Sequence, residues 1–516
     1  MALARAAGLC RLALRTHWAA VRLLGSTAAG GELPGGEDKR RSLDLEALPG
    51  DRALRPPPVR PRYVPSRKVY RTPKPTPEQL QLNKSIQACA SVDEVLDLVM
   101  AQPALLNGVI VPTALTNIAR LVGKREPARW LKSDARFRQL MRSALPFMEG
   151  KGVDAQGFSN TLYACGQLSI APPPSWLRVY WDCSARVLED FVSQALSNTM
   201  YACGQLGIAP PADWLQRYWQ ASALKMDEFI PQDYSNTLYA CGQLGITPPA
   251  DWMQRYWHAT ALKLGEFNPQ TLSNTLYASG QLGITPPDDW MQRFWHACAL
   301  KFGESVPQDF SNTIYACGQL GVTPPEDWLS CFWHASASKL GEFIPQALSN
   351  TLYAFGQLGI SPPTEWLQRF WAASSLKLCE FNAQALSNTL FACAQLHTSM
   401  PADLLRQYSS MCERLLPDMN KQDLVNTALA LAMLGLWELP VWRSLWECLC
   451  LATSLSGTQT TIFMRGSCTR CTRRPQLSGP GCCPRLAPSC SPPPARAGST
   501  GQSTRPASCM RTSPLA

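Results

Sequence analysis

Apolar and polar residues alternate with the period of a helix through most of the chain, and this pattern recurs every 38 residues. In the unit 230–267, Tyr234, Leu238 and Cys241 fall at positions that share one helix face, and we call this predicted helix A. A second amphipathic stretch, 252–262, predicts a helix B beyond a Pro-rich turn. Each unit is therefore predicted to be a helical hairpin.

The segments around these helices carry residues that end and start helices. Gly245 follows helix A as a predicted C-cap, and Pro248 and Pro249 separate the two helices. Asp251 lies in the first turn of helix B, where the positive end of the helix dipole favours an acid. Gly265 is predicted to close helix B.

Internal repetition decides the fold class. Units 230–267 and 268–305 share 29 of 38 residues, and eight such units occupy 154–450. One hairpin cannot bury both faces alone, so the hairpins are predicted to stack into an all-α solenoid. The glycine column represented by Gly242 predicts close helix contact, because glycine in mid-helix costs about 1 kcal/mol against alanine. The tripeptide Ser-Asn-Thr begins at Ser159, Ser197, Ser235, Ser273, Ser311, Ser349 and Ser387, with a diverged copy at Val425.

These units resemble octotricopeptide repeats, which are best known from nucleus-encoded green-algal factors that act on organelle RNA. The phrases PQxLSNTLYACGQLG and PPxxWLQRFW carry the resemblance, because they recur in the same order and at fixed separation. The upstream segment 78–153 resembles the irregular repeats that precede such arrays, and we interpret it as degenerate helical repeats. Within it, Asn83 and Asn117 stand near the position of the Asn column. The resemblance implies RNA binding in chloroplast or mitochondrion, leading to processing, stabilisation, splicing or translation of particular transcripts. The RAP domain that ends many members is not found.

Charge is distributed unevenly along the 516 residues. Residues 1–153 hold 25 Lys and Arg against 13 Asp and Glu, residues 154–419 hold 13 against 22, and residues 420–516 hold 10 against 3. The net charge of +10 therefore does not indicate a basic, nucleic-acid-attracting array. The most apolar stretch, 425–451, is interrupted by charged residues and proline, so no membrane-spanning helix is predicted.

The two ends of the chain differ from the array in composition. Residues 1–31 contain four Arg and no acid, which predicts an organelle transit peptide, the alternative being a disordered basic tail. Residues 32–77 are rich in Pro and Arg and predict an extended linker. Residues 451–516 hold eight Arg and no acid, and are interpreted as a disordered tail or a mispredicted reading frame.

Residues typical of catalytic or metal sites are explained mostly by repetition. Column-mates in stacked repeats lie roughly 10 Å apart, which is too far to share a disulfide or a metal. No catalytic constellation or phosphate loop is found, so the sequence predicts a protein that is not an enzyme and has no metal or cofactor. The repeated columns are Cys165, Cys203, Cys241, Cys317 and Cys393, interpreted as core residues, and His258, His296 and His334. Cys468, Cys471, Cys482 and Cys483 superficially resemble a zinc site.

Candidate RNA contacts fall in three columns of helix A. Two columns vary between amide, acid and branched apolar residues, which suits base reading, the alternative being ordinary surface variation. The constant Asn column is predicted to hold an extended chain in a groove, the alternative being an Asn ladder between repeats. The first variable column is Asp154, Val192, Ile230, Asn268, Val306, Ile344, Asn382 and Asn420; the second is Gly157, Ala195, Asp233, Thr271, Asp309, Ala347, Ala385 and Asp423. The constant column is Asn160, Asn198, Asn236, Asn274, Asn312, Asn350, Asn388 and Asn426.

Two functions from different classes compete at this point. One is sequence-specific binding of single-stranded organelle RNA, together with other proteins of an RNA-processing complex. The other is a protein scaffold that holds an extended peptide, which the acidity of the array favours because phosphate binding normally demands Lys and Arg. Basic stripes are expected to support RNA binding only if they lie on the groove side. They comprise Arg217, Arg255, Arg293 and Arg369, with Lys225, Lys263, Lys301, Lys339 and Lys377.

Overall fold

The computed structural model describes residues 74–123, 128–150 and 152–454, and within them it contains 20 α-helices and no strand. The predicted transit peptide 1–31, most of the linker and the tail beyond residue 454 lie outside the described residues. No helix among the described residues is long and apolar enough to cross a membrane.

The helices follow one another along the chain, mostly separated by short turns. Four precede the array: α1 (Pro77–Ala88), α2 (Val92–Ala101), α3 (Ile110–Val122) and α4 (Ala135–Glu149). Repeats 1 to 4 comprise α5 (Ala155–Leu168), α6 (Pro174–Ser184), α7 (Ser193–Leu206), α8 (Ala212–Leu224), α9 (Pro231–Leu244), α10 (Ala250–Lys263), α11 (Pro269–Leu282) and α12 (Asp288–Leu300). Repeats 5 to 8 comprise α13 (Pro307–Leu320), α14 (Glu326–Ala337), α15 (Pro345–Leu358), α16 (Thr364–Lys377), α17 (Ala383–Leu396), α18 (Ala402–Leu415), α19 (Lys421–Met433) and α20 (Pro440–Ser454).

The helices form two layers. Each odd-numbered helix packs against the next odd-numbered one, from α1 through to α19, and the even-numbered helices form the second layer. We call these the A layer and the B layer, because from α5 onward they hold the predicted helices A and B. The upstream helices α1 to α4 continue the same two layers. The predicted all-α solenoid of stacked hairpins is confirmed.

The turn from helix A to helix B is a glycine cap. Gly245 has φ 64°, and its N–H and that of Ile246 donate to the carbonyls of Gly242 and Cys241 at 3.3 and 3.0 Å. The predicted C-cap is therefore confirmed. Gly265 does not close helix B as predicted, because α10 ends at Lys263 and Gly265 lies inside a short 3-10 turn with a negative φ.

Neighbouring helices of the A layer approach closely at the glycine column. A β-carbon on Gly242 would lie 2.6 Å from the side-chain oxygen of Gln281 and 3.4 Å from the Cα of Ala278, both in the next repeat. The equivalent contacts recur at Gly204 and Gly280. The close contact predicted from this column is confirmed, and it explains why glycine is used in mid-helix.

The B layer is joined by large aromatic side chains. Trp252 is buried, and its indole N–H donates to Ser222 Oγ of the preceding repeat at 2.9 Å. The rings of Trp257 and Trp290 meet edge to face at 5.0 Å across the next junction. This repeat therefore contacts the preceding repeat through one tryptophan and the following repeat through another.

Candidate nucleic-acid interface

The constant Asn column lies on the outer surface of the A layer. Its members are half-buried in repeats 1 to 7, whereas Asn426 in repeat 8 is buried. Asn312 accepts a hydrogen bond from Gln308 at 2.7 Å and donates to Asn274 of the preceding repeat at 3.5 Å. The contact between Asn312 and Asn274 is the kind of Asn ladder between repeats that the alternative interpretation predicted. The side chains of the Asn column nevertheless remain partly exposed to solvent in repeats 1 to 7.

A row of aromatic side chains runs beside the Asn row and was missed by the sequence analysis. Ring centroids of Tyr277 lie 6.4 Å from Tyr239 and 6.1 Å from Tyr315, so successive repeats place their rings side by side. Burial, followed by the neighbouring phenols, raises the pKa of Tyr277, which keeps the hydroxyl protonated. The half-buried members are Tyr163, Tyr201, Tyr239, Tyr277, Tyr315 and Tyr353, and buried Phe391 continues the row.

Two rows of glutamine flank the Asn and Tyr rows. The first stands at the second position of each helix A and is exposed in every repeat. The second stands four residues after the Tyr row, and from Gln205 to Gln395 its side-chain oxygens lie over the glycine column of the preceding repeat. Both rows share the 38-residue recurrence of the Asn column, and the helical spacing of Gln232, Asn236 and Gln243 predicts that they lie on one polar stripe of helix A. The first row is Gln156, Gln194, Gln232, Gln270, Gln308, Gln346, Gln384 and Gln422; the second is Gln167, Gln205, Gln243, Gln281, Gln319, Gln357 and Gln395.

The first variable column occupies the N-cap of every helix A. All eight residues are exposed at the edge of the A-layer surface. Asn268 accepts from the backbone N–H of Thr271 at 2.8 Å, and Asn382 accepts from Ala385 at 2.8 Å. The branched apolar residues cannot cap and are 52–58% exposed. Variation in this column therefore changes both helix capping and the exposed surface.

The second variable column lies inside the array rather than on its surface. Its eight residues are all buried. Asp233 and Asp309 use their carboxylates to accept from the backbone N–H groups of Ile230 and Val306, at 3.2 and 3.0 Å. Burial raises the pKa of both carboxyl groups. These side chains cap their own helices, and their burial argues against contact with a base.

The A-layer surface of repeats 1 to 7 carries no charged side chain on its helices. Within α5, α7, α9, α11, α13, α15 and α17 the charged residues are Asp233 and Asp309, which are buried. Apart from the N-cap column at its edge, which includes Asp154 and branched apolar residues, the exposed surface of these helices consists of amide, phenol and apolar groups. Such a surface can stack on planar rings and hydrogen-bond to polar edges, but it offers no cation to a phosphate.

The predicted basic stripes do not lie on this surface. The Arg column is exposed on the outer surface of the B layer. Lys263 Nζ donates to the carbonyl oxygens of Asp227 and Phe229 in the preceding repeat, at 2.9 and 2.7 Å. Lys377 makes the equivalent pair of bonds, also to the preceding repeat. The basic stripes therefore give the A-layer surface no electrostatic support for RNA.

The repeated cysteines belong to the A helices and the repeated histidines to the B helices. The five column cysteines are buried, and burial raises the pKa of the Cys165 and Cys241 thiols to about 12. The histidines His258, His296 and His334 are exposed. Within the described residues no group of three or more His, Cys, Asp or Glu is placed to hold a metal ion. The candidate zinc cysteines near residue 470 lie outside the described part of the chain.

Comparison with protein families gives two overlapping matches, both within the array. Residues 291–439 match the family model described as Tbc2 translation factor, N-terminal domain, and residues 193–306 match that described as Tbc2 translation factor, C-terminal domain. The N-terminal model matches after the C-terminal one, and the 193–306 match spans three 38-residue periods. The similarity therefore follows the repeats rather than an order of domains. Comparison with curated proteins gives no match.

Proposed function

We propose that the protein is an octotricopeptide-repeat factor that binds single-stranded RNA in an organelle and controls translation, processing, splicing or stability of its transcripts. The observation that carries the proposal is the uncharged A-layer surface, on which Tyr, Asn and Gln recur once per repeat. The matches to models described as translation factor domains support a post-transcriptional role. The acid-free start of the chain supports import. No enzymatic step is proposed.

The proposed contacts are to bases rather than to phosphates. Stacking of a base on an aromatic ring contributes about 1–3 kcal/mol, and it tolerates any base. The half-buried ring of Tyr277, with Tyr239 and Tyr315 beside it, is the proposed stacking platform of the central repeats. The Asn and Gln amides hydrogen-bond to base edges or sugar hydroxyls. Because no cation faces the strand, we expect a shallow salt dependence of the affinity.

Base preference is proposed to come from the first variable column alone. Its amides at Asn268, Asn382 and Asn420 are exposed two residues before the first Gln row, whereas the second variable column is buried. An amide pairs with a base edge, and a branched apolar side chain such as Val306 packs on a base face. One nucleotide per repeat is the expected register, as in other helical-repeat readers.

The experiment is an affinity measurement with the full-length protein and a randomised single-stranded RNA pool. The triple variant Tyr239→Leu, Tyr277→Leu and Tyr315→Leu should bind at least tenfold more weakly. The matched triple Tyr→Phe variant should keep its affinity, because Phe391 fills this position naturally in repeat 7. Equal binding by the Leu and Phe variants would remove the A-layer surface from RNA recognition.

Base reading needs a variant that leaves the helix cap intact. Asn268→Asp keeps the oxygen that accepts from Thr271 and removes the amide donor; Asp154 fills the same position in repeat 1. Selection from the RNA pool should then show a changed preference at one nucleotide position. Asn274→Ala should instead weaken all sequences alike. An unchanged preference in Asn268→Asp would exclude the first column from base reading.

The second candidate function is a scaffold for an extended peptide. The lack of cations on the A-layer surface favours it, since Asn and Gln rows also suit the backbone of an extended chain. If the full-length protein binds no single-stranded RNA at low salt across the pool, this second function takes the place of the first.

A further inference from the structure

A second surface lies on the opposite layer, at the C-terminal ends of the B helices. Leu224, Leu262, Leu300 and Leu376 are 72, 71, 72 and 81% exposed. They occupy one position of the repeat, and Ser338 fills the same position in repeat 5. A single exposed leucine is ordinary, but exposed leucines at one position of successive repeats form a line of apolar side chains along the edge of the B layer. We call it the leucine row.

The leucine row has defined ends. The equivalent residues are Arg186 in repeat 1 and Arg414 in repeat 7, both exposed, so the row covers repeats 2 to 6. Stacked helices are spaced by roughly 10 Å, which makes the row about 40 Å long over its four intervals. A surface of this length fits one long helix better than a loop or a single side chain.

A row of carboxylates accompanies the leucines. Four residues after each position of the leucine row, and at the equivalent position of repeats 1 and 7, stands an exposed acid. Between the two rows, half-buried ammonium groups donate to backbone carbonyls of the preceding repeat at Lys225, Lys263, Lys339 and Lys377, so the exposed charges beside the leucines of these repeats are negative. We call these residues the acidic row: Asp190, Glu228, Glu266, Glu304, Glu342, Glu380 and Asp418.

We propose that the leucine row and the acidic row together bind a basic amphipathic helix of a partner protein. In an α-helix every seventh residue lies about 10.5 Å further along the axis, which matches the spacing of the repeats. About 27 residues span the leucine row at the 1.5 Å rise of a helix. Lys or Arg beside the apolar stripe of the partner pairs with the acidic row. Arg255 lies seven residues before Leu262 on the same helix face. Its positive charge opposes a basic partner, so the partner is confined to the C-terminal ends of the B helices.

Charge decides between possible occupants of this surface. A second copy of the chain would bring its own acidic row against this one, and like charges oppose that contact. An RNA would place its phosphates beside the carboxylates, which is also unfavourable. The proposal is independent of RNA binding by the A layer, because the two surfaces belong to different layers.

The test uses the full-length protein and a fluorescent 28-residue helical peptide with Leu at every seventh position, flanked by Lys. Fluorescence anisotropy should detect binding that weakens as salt is raised. The double variant Leu262→Ser and Leu300→Ser should bind at least tenfold more weakly, and it should fold because Ser338 is natural at this position. Leu80→Ser, a half-exposed leucine outside the array, should leave peptide binding unchanged.

A separate variant, Glu266→Gln with Glu304→Gln, should weaken binding of the peptide and reduce its salt dependence. Three results would overturn the proposal. The first is equal binding of a scrambled peptide of the same composition. The second is a dimer in sedimentation that Leu262→Ser and Leu300→Ser dissolve, which would make a second copy the occupant. The third is displacement of the peptide by single-stranded RNA, which would place the nucleic acid on this edge.

Discussion

The side-chain oxygen of Gln281 lies 2.6 Å from the point that a β-carbon on Gly242 would occupy. The amide of one repeat thus lies over the glycine of the repeat before it. At the junction of repeats 7 and 8 both partners change, since Ala394 replaces the glycine and Met433 replaces the glutamine. The two columns vary together because they share one space between neighbouring A helices.

This relationship predicts an energetic coupling between positions 242 and 281. Gly242→Ala should be tolerated better by about 1 kcal/mol when Gln281→Met is also present, because the natural pair at the last junction is Ala with Met. Urea unfolding of the two single variants and the double variant measures the coupling. Strict additivity of the free energies of unfolding would show that the glycine and the glutamine do not interact.

Two residues at the helix A C-caps are predicted to be suboptimal. Ser169 and His397 have φ of 55° and 51°, in the left-handed region where the other repeats have glycine. Ser169→Gly and His397→Gly should each raise the free energy of unfolding by about 1 kcal/mol, because glycine adopts this conformation without the Cβ penalty. The reverse change, Gly283→Ala, should lower it by about the same amount. Thermal melts of the three variants check both signs.

One tryptophan of the B layer lacks the acceptor that its column-mates have. Trp366 Nε1 donates to Ser336 Oγ at 2.9 Å, whereas Trp328 Nε1 faces Cys298, whose sulfur is a weak acceptor. Cys298→Ser should stabilise the protein by about 1 kcal/mol, the usual net value of a buried hydrogen bond. Ser336→Cys is the matched control and should destabilise it. If Cys298→Ser did not raise the free energy of unfolding, the Cys298 thiol would already be an adequate hydrogen-bond acceptor for the Trp328 indole N–H.

Buried carboxyl groups predict an unusual dependence of stability on pH. The pKa values of Asp233 and Asp309 are raised by burial, so between the ordinary and the raised value the folded protein binds more protons than the unfolded chain. Stability contributed by these groups therefore falls as pH rises through that window. The variant Asp233→Asn with Asp309→Asn keeps an oxygen for each cap. Its stability relative to the native sequence should increase from pH 4 to pH 7 in urea unfolding, and a constant difference would contradict the shifts.

The contacts between repeats predict that whole units can be removed. Deletion of 268–305 brings 230–267 against 306–343, which present nearly the same side chains at the new junction. The shortened protein should remain helical and melt cooperatively. Deletion of half a unit, 268–286, should not fold in the same way, because it removes the A helix α11 and connects the B helices α10 and α12 directly. Circular dichroism melts distinguish the two.

The helices and their turns were predictable because their signals are local. The spacing of Tyr234 and Leu238 and the glycine at 245 act within a few residues, and the structure follows them. It was harder to predict from the sequence which side chains of a helix are exposed and which are buried. Asp233 is a polar residue in a variable column, which suggested a surface position, yet its carboxylate is used within its own helix and is buried.

Contacts between repeats were the part that spacing alone did not show. Lys263 and its column-mates suggested a basic surface, but their partners are carbonyls 34 and 36 residues earlier, brought near only by stacking. The Tyr row was overlooked because an aromatic residue in a helix is normally a core residue. Half-burial beside the tyrosine of the next repeat is a property of the stack, and a single unit does not contain it.

The N-cap position of helix A gives the array a way to be reprogrammed. Asn268 sits at the edge of the stack, and its side chain contacts the start of its own helix. A substitution there changes a contact within its own helix, and loss of the cap costs about 1 kcal/mol of local helix stability. The amino acid at this N-cap position can therefore be replaced in a single repeat without redesign of the neighbouring repeats.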